Sequence, residues 1–509
     1  MALSRRASDS SIRESPFSSS RPGYNIIMGT NAPRHLGLVS TALLPANRMI
    51  GAAIFSVPSS IIVSVGSAGA ALSLWVLGLT LSLCGFYIWL ELGCLMPSSG
   101  GEKVYLEAAY PRPYRLASTL FAFYILFAFG GLASIVVADN FLLAVDCTAS
   151  DLQKRALAIA VLFVVAAILS VSQKWGLRIM NLLALVKMAI LLLIICTAFA
   201  ITVGVIPSKG PTDRGTNFRQ PFAGSSSNLY DYTVSLFKVL GSFQGWNNSS
   251  LILGEVSNPQ RTLKMAGVFG VGSVGVLYLL VNVSYLIIAT PDDMRQTGLQ
   301  LVARILGSVF GSATTRVTGA MVALSSLGSI MSVAFTVCRV IRELAMDEVI
   351  PASSMLSKTT RSGNPTPATF VYLFGTSAAA MALIPFGDAY DFLIDASQYQ
   401  AAMINFAVVV GLFIIRKSVP AAEYPFRVWT SIAYVFLAVQ VYLLVSPFWS
   451  PQGQGDTSLP YWLAPIVAIA GFGCGAFYWW WARDKTVTRD RPFRTLRDRT
   501  QAYGSVPGG

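Results

Sequence analysis

The sequence predicts an all-α polytopic membrane protein of twelve transmembrane helices. Three observations carry this reading. Of 509 residues, 54% are hydrophobic and only 12% are charged, too little charge for a soluble chain of this length. Windows of about 20 apolar residues, the length that crosses a bilayer, recur along the chain. Two of these windows are interrupted in the middle, at Asn47–Pro58 and at Gly241–Trp246. Lipid tolerates an interrupted helix only where protein or a wet cavity satisfies its backbone. Paired interruptions in two halves of a chain point to the substrate site of a secondary transporter.

The twelve windows fall at 37–65, 69–95, 114–145, 153–171, 176–206, 230–256, 264–290, 302–345 (with an amphipathic start), 367–385, 389–415, 428–448 and 460–482. Residues 1–35 are rich in Ser and Arg and lack an apolar core, so they read as a disordered tail without a cleavable leader. The expected organisation is 36–206 for spans one to five, an outer loop at 207–229, 230–415 for spans six to ten, 416–482 for the last two spans and a basic tail at 483–509. Most of the 37 lysines and arginines fall in segments that lie inside if the chain starts inside. Both termini are therefore expected in the cytosol. The same rule accounts for the net charge of +13 and for the run from Arg483 to Arg499, through anionic lipid and without a nucleic-acid partner.

Several classes of chemistry are excluded. The single histidine, His35, cannot supply a paired metal-ligand motif, and it leaves Ser or Cys hydrolysis without a base in the spans. Asp139 and Asp395 lie in apolar spans but in no recognisable aspartyl dyad motif. The six cysteines contain no CxxC pair, so neither a zinc site nor a disulfide framework is expected. The expectation is a non-enzyme with no metal or cofactor.

An ordered set of motifs carries a resemblance. The run from Asn47 through Ile50-Gly51 to Ile54-Phe55 comes first, and Glu91-Leu92-Gly93 leading to Pro97-Ser98-Ser99-Gly100-Gly101-Glu102 second. Phe243-Gln244-Gly245-Trp246, the segment from Glu255 to Arg261, and Pro420 through Trp429 follow. In this order, over most of residues 36–480, the chain resembles the amino acid–polyamine–organocation superfamily. Within it, Asn47–Gly51, Lys238 and Arg261–Lys264 are most similar to the fungal high-affinity methionine permeases of the L-type amino-acid transporter family.

The resemblance implies a five-plus-five inverted repeat, with broken helices one and six, followed by two extra helices. It also implies a plasma-membrane importer of neutral amino acids, methionine first among them, driven by proton symport. Two alternatives stay open: an amino-acid exchanger without proton coupling, and a non-transporting nutrient receptor.

A zwitterionic substrate needs a trap for negative charge beside one for positive charge. Where span one resumes, the N–H groups of Gly51, Ala52 and Ala53 form a helix N-terminus that attracts a carboxylate. Carbonyls around Met49 and Ile50, and from Ser242 to Gln244, can accept an ammonium. Phe243 and Trp246 flank this position, Phe243 as a candidate lid, and Gly245 belongs to the same break. The superfamily pattern has Gly-x-Gly where this chain has Gly51-Ala52-Ala53, which adds a methyl near the ligand.

Lys187 lies deep in span five among Leu185, Val186, Met188 and Ala189. A buried ammonium is expensive, so this side chain is either a titrating proton carrier or a fixed structural charge. By the resemblance it takes the place of a sodium ion and ties spans one, five and eight together near Ser325 and Ser326. Lys238 precedes the second break and is a candidate for gating or for pairing with an acidic side chain. Arg48 and Glu91 are candidates for gating or charge pairing. Gly130 and Gly131 in span three leave room for a substrate or for close helix packing. Cys147, in the outer loop after span three, occupies a position that links animal relatives to a heavy chain. The similarity to fungal permeases implies a free thiol here and no such partner.

Overall fold

The computed structural model describes residues 45, 46, 48–96, 100–128, 131–171, 173–206, 216–248, 250, 259–290, 293, 294, 300–358, 365–383, 386–421, 424–448 and 460–487. Asn47, Gly130, Glu255, the N-terminal tail, residues 207–215 and residues 488–509 lie outside them. The described residues are all-helical, in the order α1 (Ala53–Val65), α2 (Ala68–Leu95), α3 (Glu102–Ala109), α4 (Leu116–Ala128), α5 (Leu132–Ala144), α6 (Asp151–Val171), α7 (Gln173–Val203) and α8 (Thr216–Arg219). There follow α9 (Leu229–Ser242), α10 (Pro259–Ile288), α11 (Leu301–Phe310), α12 (Ser312–Met346), α13 (Ser353–Leu356), α14 (Pro367–Leu383), α15 (Phe386–Ser418), α16 (Thr430–Val445) and α17 (Leu463–Val487).

Among the described residues, 9 helical stretches are long and apolar enough to cross a membrane. The other three expected spans are short for identifiable reasons. Span one appears as α1 with 13 residues, beginning after non-helical Ile50–Ala52, span six as α9 with 14, ending before the turns from Phe243, and span nine as α14 with 17. Two expected spans are interrupted where the sequence reading had them continuous. Span three divides into α4 and α5, and α5 begins after Gly131 at φ 65°. Span eight has α11 in place of its amphipathic start, and the chain turns at Gly311 with φ 100° before α12. A positive φ costs glycine least, so both turns fall on glycine. A β-carbon on Gly131 would also lie 2.8 Å from the Met381 sulfur, so close helix packing uses this position.

The joint between spans one and two follows local rules. Gly66 ends α1 in the left-handed region at φ 76°, its N–H donating to the Ile62 carbonyl at 3.0 Å, and the Ser67 hydroxyl accepts from the Ala70 N–H to cap α2. The segment before α9 covers this joint. Ser226 N–H donates to the Val65 carbonyl at 2.9 Å, and Gly69 N–H to the Pro221 carbonyl at 2.6 Å.

Helix faces sort by burial. On α7, Leu182, Leu185, Leu192 and Phe199 are exposed, whereas Leu183, Lys187, Ile190 and Ile194 are buried. The exposed stripe is what a lipid-facing surface requires, and Lys187 lies on the opposite side. The charge on Glu91 is held by a sealed pair. Arg416 at the end of α15 donates to both carboxylate oxygens, at 2.8 and 2.6 Å, and the Val428 N–H adds a third bond at 2.7 Å. Glu91 thus serves charge pairing, tying span two to spans ten and eleven.

Breaking one side of a buried, fully bonded pair strands the other charge, at a cost of about 3–5 kcal/mol. Glu91→Ala should therefore lower the detergent melting temperature sharply, while a Glu91→Leu, Arg416→Met double variant should recover most of the loss. Equal melting of wild type and the single variant would show that the pair contributes little.

Candidate functional site: two helix breaks joined by one tyrosine

The two interrupted segments meet. In span one, Pro45 and Ala46, and then Arg48 and Met49, are helical, Ile50, Gly51 and Ala52 leave the helix, and α1 starts at Ala53. Its N-terminus has no side-chain cap and no acidic residue in the first turn. In span six, α9 ends at Ser242 and the chain passes through Phe243-Gln244-Gly245-Trp246 as turns. Tyr278 of α10 stands between them. Its hydroxyl reaches the Met49 carbonyl of the first break and, at 3.3 Å, the Ser242 carbonyl of the second. Gly51 lies beside the same hydroxyl. Two turns along α10, Tyr285 donates to the Ile54 carbonyl at 3.2 Å.

Phe243 is fully buried between Trp75, centroids 5.9 Å apart, and Tyr278, 5.2 Å apart. Trp75 and Tyr278 also meet edge to face at 5.6 Å. Trp246 turns the other way, against Trp89 of α2 at 5.0 Å, with its ring over Gly85. It helps to line a cavity of about 50 Å³ together with Tyr124, Gln244, Asn247 and Gln398.

The two glycines of the breaks differ in what they demand. A β-carbon on Gly51 would meet Met49 and Arg48 carbonyls and the Ser329 hydroxyl at 3.6–3.7 Å, ordinary contact. Gly245 sits at φ 120°, and a β-carbon there would lie 2.7 Å from the Arg48 side chain. The stem of Arg48 therefore packs across the second break, and its guanidinium donates to Asn248 at 2.8 Å. Asn247 next door donates to Glu102 at the start of α3, which also accepts from Trp89 at 3.0 Å. Arg48 thus joins the first half of span one to the end of the second break.

Lys187 is 1% exposed, and its Nζ has no hydrogen-bond partner among the described residues. The Ser325 and Ser326 hydroxyls are likewise buried and unpartnered. One turn before Lys187, Leu183 packs into Gly328 of α12. Ser329 of the same helix is the residue that neighbours Gly51. Span five is thus connected to span one through span eight. Lys238 pairs with Asp391 of α15 at 3.0 Å. Cys147 is an exposed free thiol.

Sequence reasoning missed Tyr278, Tyr285, Glu102 and the Asn247-Asn248 pair. The two tyrosines lie seven residues apart, hence on one face of an apolar helix, which is a signal that their hydroxyls have buried partners. Two adjacent amides just after a break carried the same kind of signal.

The geometry separates fold from ligand at these glycines. Gly51→Ala should fold and reach the membrane like wild type yet lose substrate uptake, because the methyl occupies space at the break. Gly245→Ala should reduce the amount of folded protein as well, since left-handed backbone and Arg48 both oppose a β-carbon. Fluorescence-detected size exclusion beside an uptake assay reads both outcomes.

Residues 36–472 match the family model described as amino acid permease. The high-affinity methionine permease of Saccharomyces cerevisiae is 31% identical over 474 residues, covering 90% of this chain and 82% of that protein. The low-affinity methionine permease of the same yeast is 26% identical over 88% of this chain and 82% of its own length. The human b(0,+)-type amino acid transporter 1 is 27% identical over 82% of this chain and 83% of its own. With its apposed breaks and its run of apolar helices, the chain belongs to the amino acid permease family.

Proposed function

We propose that this protein is a secondary active permease that imports neutral amino acids across the plasma membrane, with methionine the first candidate. In this reading transport is by proton symport with alternating access, spans one to five and six to ten act as inverted halves, and both termini face the cytosol. The observation that carries the proposal is the meeting of the Met49 and Ser242 carbonyls at the Tyr278 hydroxyl. A carbonyl oxygen has two lone pairs, so the same two carbonyls can also receive a substrate ammonium. The uncapped N-terminus of α1, a few residues on, is suited to the carboxylate. The yeast relatives' description as methionine permeases supports the choice of substrate.

The side chains around the breaks divide into two seals in this reading. Towards the outside, Ser56 of α1 meets the Tyr390 hydroxyl at 3.2 Å and the segment 216–228 covers the ends of α1 and α2. Towards the cytosol, Arg48–Asn248, Asn247–Glu102 and the Trp89–Trp246 contact close the way out. Phe243 is the lid over the substrate. Lys187, unpartnered on the inward face of span five, is assigned to proton coupling through spans eight and one. Cys147 acts as a free thiol, with no heavy-chain partner.

Uptake of labelled methionine in fungal cells lacking their own methionine permeases tests the proposal. Saturable uptake by wild type should collapse with a protonophore. Lys187→Ala should lose about tenfold or more, the factor that ~1.4 kcal/mol sets. Uptake that survives the protonophore but needs internal amino acid would identify an exchanger. A correctly localised protein that takes up no methionine would remove the substrate assignment.

A further inference from the structure

Lys238 is 4% exposed in the packed face of α9, and its one ion-pair partner among the described residues is Asp391 at 3.0 Å. Asp395 lies one turn further along α15, close enough for the charges of both Lys238 and Asp391 to act on it. Its Oδ1 is buried without a hydrogen-bond partner among the described residues. Two carboxylates therefore face one ammonium. With all three ionised the cluster carries a surplus negative charge, which is costly inside a membrane protein. Two carboxylates that share a site do not readily both ionise.

The other ionisable neighbours do not cancel that charge. Tyr230 of α9 lies near Asp395, with Asp231 of α9 and Tyr461 ahead of α17 near that phenol in turn, and Tyr390 of α15 lies near Asp391. A phenol carries no positive charge in either protonation state. Asp231 is engaged by the Ser226 hydroxyl at 2.5 Å and adds negative charge, not positive.

The cluster is connected to both breaks. Gly241 of α9, just before the second break, approaches Ile394 and Gln398 so closely that a β-carbon would lie 3.0 and 3.4 Å from them. Pairing of 238 with 391 and of 241 with 394 puts α9 and α15 in parallel register over this stretch. Tyr390, adjacent to Asp391, meets Ser56 of α1 just after the first break. Asp391 has about half of its side chain exposed, at 51%, whereas the free oxygen of Asp395 one turn on is buried. Gln398, a further turn along, lines the cavity that extends to Gln244 and Asn247, and about 50 Å³ holds a few waters.

We propose that Lys238, Asp391 and Asp395 form the loading site for the coupling proton, which the two carboxylates share. The inference rests on the symport reading and gives it a site beside Lys187. A proton from outer water forms an O–H bond on a carboxylate, leaving the cluster neutral with one ammonium and one carboxylate. On the inner-facing side of the cycle that bond breaks and the proton leaves to water. Movement of α1 or of the second break shifts Tyr390 or Gly241, and so changes which water the cluster meets.

The full-length protein reconstituted in liposomes tests this with two assays on the same vesicles. Methionine counterflow without a pH gradient reads substrate exchange alone. Accumulation driven by one pH unit reads coupling, and one-to-one symport sustains about tenfold accumulation at that gradient. Asp395→Asn and Asp391→Asn each leave one ammonium and one carboxylate, balanced with no added proton. Both variants should therefore keep counterflow and lose accumulation, and Asp395→Glu should restore it. Wild-type accumulation in both Asn variants would overturn the proposal. Loss of counterflow in both would assign the cluster to structure instead and overturn it equally. A wild type that exchanges methionine but ignores the gradient would refute symport itself, a result distinct from the other two.

Discussion

A backbone group that leaves its helix inside hydrocarbon must find a partner in the protein, because an unsatisfied amide there costs several kcal/mol. This chain leaves helical geometry twice in the same region, at Ile50–Ala52 and after Ser242, and the packing around both places answers that need. Tyr278 supplies one hydroxyl to carbonyls of both breaks. Trp75 and Phe243 then pack on the Tyr278 ring, which fixes where the hydroxyl can point. Arg48 crosses the second break over Gly245, where no side chain could stand. The breaks are therefore not independent defects. A displacement of one draws on bonds that also hold the other.

The charges in the spans sort by how completely they are answered. Glu91 has a bidentate arginine and a backbone N–H, and such a pair ties elements together more than it stabilises them over an apolar substitute. Lys238 has one carboxylate at contact and a second nearby. Lys187 has neither, and its Nζ, like the Ser325 and Ser326 hydroxyls of α12, is buried without a hydrogen-bond partner among the described residues. An isolated charge at mid-membrane costs at least about 2.5–3.5 kcal/mol. A fold selected only for stability would replace Lys187 with an aliphatic residue, so its place on the buried face favours work in transport over work in packing.

Much of this was legible in the sequence for physical reasons that act locally. Apolar windows of bilayer length mark the 9 helices long and apolar enough to cross a membrane among the described residues, and the glycine-containing interruptions mark where residues 50–52 and 243–247 leave helix. The limits were also physical. Spans three and eight look continuous in hydropathy because Gly131 and Gly311 are themselves compatible with an apolar run, yet each takes a positive φ and stands outside helix, Gly131 just before α5 and Gly311 between α11 and α12. Tyr278, whose hydroxyl reaches the Met49 and Ser242 carbonyls, lies more than two hundred residues from the first break, and no local pattern announces such a pairing. The separate ring contacts of Phe243 with Trp75 and of Trp246 with Trp89 are set by tertiary packing, which the Phe243-Gln244-Gly245-Trp246 run alone does not reveal. The acidic partner of Lys238 was anticipated in kind and not in identity, since register between α9 and α15 is set by tertiary packing.

That register gives span six its mechanical character. Within about one helical turn, α9 carries an ion pair at Lys238, a close contact at Gly241 and the loss of helix at Phe243. The contact at Gly241 is close, because Ile394 and Gln398 lie 3.0 and 3.4 Å from where its β-carbon would be. A change at the ion pair is thus passed along the α9–α15 interface to the break with little slack, and the break in turn shares Tyr278 with span one. Interfaces packed this closely move between discrete arrangements more readily than they deform. In the proposed cycle, the charge state beside Lys238 and the occupancy of the two breaks therefore bias the same element, which is the requirement for one to drive the other.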